Sequence, residues 1–126
     1  MPRPLVLVVE DDEQVLGVFA RVVEHGGYEC VKAANGHRVE GQLKGRSPSA
    51  VILDYLLPGM PSTEIIARLR LASPLVPIIV VTATTASDEE LGRLVPFAIL
   101  RKPFSVDELL TVLERAIEGS GPVAPA

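Results

Sequence analysis

The chain has 126 residues and a formal net charge of −4, which points to one domain large enough to bury a core without metal or disulfide staples. Its basic residues are scattered along the chain without a cluster. Nucleic-acid backbones and anionic membrane surfaces are bound by clustered Lys and Arg, so neither is expected as a direct partner.

Three Phe, two Tyr and no Trp leave a core of Val, Leu, Ile and Ala and little material for stacking bases. No apolar run approaches the roughly 20 residues that span a bilayer, and Met1-Pro2-Arg3-Pro4 lacks a signal-peptide pattern. Cys30 is the sole cysteine and cannot form an internal disulfide. The expected location is therefore the cytoplasm, with Cys30 an inert core thiol.

Leu5-Val6-Leu7-Val8-Val9 is a continuous apolar run ending abruptly in Glu10-Asp11-Asp12, the pattern of a strand buried on both faces. Asp12 suits the N-cap of a following helix. Val15, Leu16, Val18, Phe19, Val22 and Val23 give that helix one wide apolar face. It should stop at His25-Gly26-Gly27, where glycine can take the left-handed C-terminal conformation.

Tyr28 to Ala33 reads as a second strand, followed by a weak helical segment around residues 38–44 and a turn at Gly45-Arg46-Ser47-Pro48. Ala50-Val51-Ile52-Leu53 is a third buried strand that ends in Asp54. Past the breaker Leu57-Pro58-Gly59-Met60-Pro61, a helix should start near Ser62, turn Ile65, Ile66 and Leu69 inward, and end at Ser73-Pro74.

Pro77 to Val81 is the fourth strand, ending at Thr82-Ala83. Ser87-Asp88-Glu89-Glu90 has the form of a capping box opening a short helix. Phe97 to Leu100 is the fifth strand, ending at Arg101-Lys102-Pro103. Ser105-Val106-Asp107-Glu108 is a second capping box, before a helix with the inward stripe Val106, Leu109, Leu110, Leu113 and Ile117. Buried strands alternating with amphipathic helices predict an α/β fold, a doubly wound parallel sheet of five strands with helices on both faces.

Four of these strands end in chemistry: Glu10-Asp11, Asp54, Thr82 and Lys102. In such a sheet, ligands bind beyond the carboxyl ends of the strands, where the strand order reverses. Singly, each residue has a bland reading. An acid after a strand is often a helix cap, a Thr there a turn residue, and a Lys before Pro a solvated charge. Their conjunction at four strand ends points to one crevice.

Carboxylates held together repel one another unless a cation relieves them, and Mg²⁺ suits a site with few protein ligands that shares a phosphate. Asp54 can then act as a nucleophile forming an aspartyl-phosphate. Lys102 and the metal would neutralise the phosphoryl charge, and Thr82 would hydrogen-bond a phosphoryl oxygen.

Val8-Val9-Glu10-Asp11, Ile52-Leu53-Asp54-Tyr55-Leu56-Leu57-Pro58-Gly59-Met60, Thr82-Ala83 and Lys102-Pro103-Phe104 together resemble the receiver domain of two-component response regulators, the CheY-like family. The resemblance covers roughly residues 4–118, with order and spacing intact. It implies a flavodoxin-like (βα)5 fold with strand order 2-1-3-4-5. Residues 1–118 would form the receiver domain and residues 119–126 a disordered C-terminal tail.

The resemblance further implies that Glu10 and Asp11 form an acidic pair, with Asp11 the more direct Mg²⁺ ligand. The metal set becomes Glu10, Asp11, Asp54 and the Leu56 carbonyl, and Lys102-Pro103 becomes a cis bond. Three acids stand in a row, so a register using Asp11 and Asp12 stays open. The phosphoryl donor would be a histidine kinase or a phosphotransfer protein, with a protein partner downstream and no independent substrate turnover.

The chain also departs from the family. Ile99 stands three residues before Lys102, where an aromatic switch residue is common, and Val95-Pro96 replaces the usual Gly-Ala. The stretch from Thr82 to Lys102 is short, so the fourth helix should be truncated or remodelled. Leu56 and Thr84, which flank the site, are apolar and small. These departures motivate an alternative: a receiver-fold binding module that acts without phosphorylation. A phosphatase using an aspartyl-phosphate is disfavoured, because Leu56 stands where such enzymes carry a second acid.

Overall fold

The computed structural model describes residues 3–83 and 85–119. Thr84 and the tail residues 120–126 lie outside the described residues. Five strands, β1 (Leu5–Val9), β2 (Glu29–Ala33), β3 (Ala50–Asp54), β4 (Ile78–Thr82) and β5 (Ala98–Arg101), alternate with helices α1 (Glu13–His25), α2 (Val39–Leu43), α3 (Ser62–Ala72), α4 (Asp88–Gly92) and α5 (Val106–Glu118). A single 3₁₀ turn, Gly36–Arg38, leads into α2. The strands form one parallel sheet in the order β2-β1-β3-β4-β5, so the winding direction reverses between β1 and β3.

The continuous apolar strands are explained by the two faces they must bury. Side chains alternate across a strand. Leu5, Leu7, Val9, Val51, Leu53, Ile78 and Val80 therefore pack on one face with Val39 and Leu43 of α2 and Ile65, Ile66 and Leu69 of α3. Val6, Val8, Ala50, Ile52, Ile79 and Val81 pack on the other with Leu16, Phe19 and Val23 of α1 and Leu109, Val112, Leu113 and Ala116 of α5. Each fully buried Leu, Ile or Val contributes about 1.5–3 kcal/mol.

Two helix faces are rotated from their expected positions. In α1 the buried residues are Leu16, Phe19, Ala20 and Val23, while Val18 is 51% exposed. In α5 they are Leu109, Val112, Leu113 and Ala116, and Val106, expected inside, is also 51% exposed. Both true stripes have the spacing i, i+3, i+4, i+7 and each includes an alanine. The small side chain lets the helix lie close to the sheet, and the flanking large residues are left at the margin.

Caps set the boundaries. Asp12 accepts hydrogen bonds from the Gln14 and Val15 amides to open α1, and Ser105 with Glu108 forms a full capping box on α5. Ser87 accepts from the Glu90 amide at α4, the forward half of the expected box. The left-handed residue after α1 is Gly27, at φ 95°, not Gly26, at φ −72°. The fourth helix spans only five residues, as the short stretch between Thr82 and Lys102 required. The Lys102-Pro103 bond is cis. Cys30 is half-buried on β2, and burial pushes its thiol up to about 11, which keeps it protonated and inert near neutrality.

Candidate functional site

The reversal between β1 and β3 leaves a crevice beyond their carboxyl ends, and the acids occupy it. Glu10 follows β1 directly, its amide still bonded to the Ala33 carbonyl at 3.1 Å, and only 3% of the residue is exposed. Asp54 is the last residue of β3 and 9% exposed. Asp11 is exposed at the mouth. One carboxylate oxygen from each of the three lies within 4.8 Å of the others. Asp12 is turned away to cap α1, so the structure groups Glu10 and Asp11 with Asp54 and leaves Asp12 to the helix.

This arrangement is electrostatically incomplete. Burial and the adjacent Asp54 carboxylate push the Glu10 carboxyl from 4.5 up to about 8, against the lowering influence of Lys102 and the Asp12 amide. Glu10 Oε2 is buried without a hydrogen-bond partner, although buried polar atoms are nearly always paired. An all-oxygen donor set of three carboxylates with one orphaned buried oxygen fits a hard divalent cation.

The two oxygens of Asp54 have different surroundings. Oδ1 accepts a hydrogen bond from the Leu56 amide at 3.0 Å, and Oδ2 faces the Lys102 ammonium at 3.4 Å. Leu56 itself is 60% exposed. Thr82 ends β4 and is 1% exposed. It lies one position past Val81, the β4 partner of Asp54, and its carbonyl accepts the Lys102 amide at 2.8 Å. Strand pairing thus fixes the backbones of residues 54, 82 and 102 relative to one another.

Three further polar residues make contacts that the sequence does not disclose, Ser62 and Arg101 at this end of the sheet and Arg70 at the opposite, amino end of β4 and β5. Ser62, read only as a helix start, is 5% exposed and donates to the Tyr55 carbonyl. Arg101, read as part of a strand end, reaches the Ala86 carbonyl at 2.7 Å and Asp88 Oδ1 at 2.8 Å, tying β5 to the start of α4. Arg70 of α3 donates to the Leu94 carbonyl at 2.6 Å and to the Val95 carbonyl, holding the segment after α4. No spacing rule reveals these contacts, because each joins elements 7 to 25 residues apart. Ile99 is half-buried on β5, paired in register with Val80.

DNA-binding transcriptional regulator NtrC of Salmonella typhimurium is 31% identical over 119 residues, covering 93% of this chain and 25% of NtrC. Phosphate regulon regulator PhoB of Pseudomonas aeruginosa is 32% identical over 121 residues, covering 93% of this chain and 53% of PhoB. The chain thus spans between a quarter and about half the length of these two relatives.

Among solved structures, response regulator TrrA of Thermotoga maritima, in complex with Mg²⁺ and beryllofluoride, superposes with a TM-score of 0.79 at 25% identity, covering 90% of this chain and 98% of that one. Vibrio cholerae CheY4 shares the fold with a TM-score of 0.81 at 24% identity, over 90% of this chain and 98% of that one. The family model of the response regulator receiver domain matches residues 6–114. With that match over the sheet, helices and carboxylate cluster described above, the chain belongs to the receiver domain family of two-component response regulators.

Proposed function

We propose that this chain accepts a phosphoryl group on Asp54 from a phosphohistidine of a histidine kinase or phosphotransfer protein and thereby alters a protein-contacting surface. The observation that carries this reading is the Asp54 carboxylate held between the Lys102 ammonium at 3.4 Å and the buried Glu10 with its orphaned oxygen. An Asp54 oxygen attacks phosphorus as the donor's P–N bond breaks and its electron pair returns to the imidazole. The product is an acyl phosphate on Asp54.

Lys102 balances the phosphoryl charge, and the Thr82 hydroxyl donates to a phosphoryl oxygen. Glu10, Asp11, Asp54 and the Leu56 carbonyl would hold Mg²⁺. When bound, the ion supplies the positive charge that the cluster lacks. The domain acts as a switch in the cytoplasm with no independent turnover, and the new dianion draws Thr82 and Lys102 together to shift the loops around α4.

The test is Mg²⁺-dependent labelling by acetyl phosphate, with loss of at least about a hundredfold in Asp54→Asn. Equal labelling of the variant would refute the assignment. Ile99 and the five-residue α4 support a second reading, a receiver-fold binding module independent of phosphorylation. That reading predicts partner affinity unchanged by Mg²⁺ with beryllofluoride, and a clear change in affinity removes it.

A further inference from the structure

The peptide group between Tyr55 and Leu56 is hydrogen-bonded at both ends. Its N–H, on Leu56, donates to Asp54 Oδ1 at 3.0 Å. Its C=O, on Tyr55, accepts from the hydroxyl of Ser62. Ser62 is the first residue of α3, is 5% exposed, and its Oγ lies 3.5 Å from the Asp54 carbonyl oxygen. A hydroxyl has one proton to give, so the Tyr55 carbonyl is the acceptor that fixes its direction. The preceding residue, Pro61, offers no side-chain cap to the helix, and the Ser62 hydroxyl is turned back toward β3 instead.

We propose that Ser62 is a positioning residue for phosphoryl transfer, acting on Asp54 through the Tyr55–Leu56 peptide. The inference rests on the reading of Asp54 as the phosphoacceptor. Two physical effects carry it. A hydrogen bond at a carbonyl polarises the whole amide and strengthens its N–H as a donor, so the Ser62 bond reinforces the one that Asp54 receives. The same bond stops rotation of the peptide plane. With Oδ1 pinned to that plane, Oδ2 is left facing Lys102 at 3.4 Å. The chain direction through Leu56, whose carbonyl is the proposed metal ligand, is set at the same time.

The surrounding loop needs such a tie. Residues 55–61 include Gly59 at φ 81°, a conformation that glycine adopts freely, and exposed Leu56, Pro58 and Pro61. Beyond β3, the loop is anchored by the Tyr55 amide on the Val81 carbonyl at 2.9 Å, by buried Met60, and by Ser62. Met60 fixes the far end of the loop. Among the described residues, Ser62 is the side-chain donor that holds the carbonyl end of the peptide whose N–H contacts the nucleophile.

The experiment compares the full chain with Ser62→Ala and Ser62→Thr by acetyl phosphate labelling in Mg²⁺ and by ¹H–¹⁵N spectra. Removing an outer hydrogen-bond partner of a site costs roughly 10–100-fold. Ser62→Ala should therefore label about tenfold more slowly, with the Leu56 amide proton moved upfield, and Ser62→Thr should recover both. Should the alanine variant unfold, Ser62→Cys, a weaker donor of similar size, gives the same reading.

A purely structural serine would lower the unfolding midpoint while leaving the Leu56 amide shift and the labelling rate of the folded protein at parental values. That result overturns the inference. If the parent itself does not label, the phosphoacceptor reading fails. The role of Ser62 in transfer then falls with it, and the Leu56 shift separates the two failures: movement in Ser62→Ala shows the hydrogen-bond relay present, and no movement shows that the relay fails as well.

Discussion

The carboxylate crevice and the α4 segment lie beyond neighbouring parts of one sheet, yet they are held by different means. In the crevice, Glu10 and Asp54 continue directly from buried strands whose neighbours are apolar, so their backbones are fixed by the sheet and their charges are in conflict. The α4 segment has five helical residues and one buried side chain among them, Leu91. It is held instead at its two ends by guanidinium groups, Arg101 at Ala86 and Asp88 and Arg70 at Leu94 and Val95. A site made from strand ends stores electrostatic strain in a rigid frame. A helix made of one turn is positioned by polar contacts that can exchange, which suits an element expected to move.

The contrast breaks most visibly at Lys102. Lys102→Ala removes the only cation placed against Asp54 among the described residues and should slow acetyl phosphate labelling roughly 10²–10³-fold. The fold should stay intact, because β5 is paired along its backbone with β4. Labelling at the parental rate would show that the ammonium does not serve the transfer.

The next effect concerns pH. The Glu10 carboxyl ionises at 4.5 in the unfolded chain and at about 8 in the fold. Between these values the native state keeps a proton that the unfolded state has lost. Stability of the metal-free protein therefore falls as pH rises through that window and levels off above it. Mg²⁺ must displace the same proton, so its apparent affinity should weaken by up to about tenfold per pH unit below 8. Calorimetric titration at several pH values checks both, and Glu10→Gln should flatten the stability profile.

On the other side of the contrast, Arg70→Ala leaves two carbonyls beside α4 without a charged donor and should cost about 1–2 kcal/mol in denaturant unfolding. The labelling rate should change less than twofold, because no contact of Arg70 reaches the crevice. A large labelling defect would show that α4 and the site are coupled even before phosphorylation. The smallest effect is expected at Arg46, which makes two short bonds to Glu29 at 2.6 and 2.8 Å and lowers the Glu29 carboxyl below its usual range. Both groups are solvated, so Arg46→Ala should leave the unfolding midpoint unchanged within error.

Much of this molecule is determined locally. Four apolar runs, each ending in a polar residue, define β1, β3, β4 and β5, and the mixed stretch Tyr28 to Ala33 supplies β2. Asp12 and Ser105 define helix starts, and the strand ends bring forward Glu10, Asp11, Asp54, Thr82 and Lys102 as one set, because a parallel sheet can only collect its carboxyl ends on one side.

The tertiary structure decided what depends on packing angle and long-range contact. The helix faces rotated so that Ala20 and Ala116 meet the core while Val18 and Val106 do not, since close approach favours the smaller side chain. Of the three consecutive acids, burial chose Glu10 for the crevice and the helix took Asp12. The bonds from Ser62, Arg70 and Arg101 could not be read in advance, because nothing local fixes which distant carbonyl a hydroxyl or guanidinium will meet until the sheet has set the distance between them.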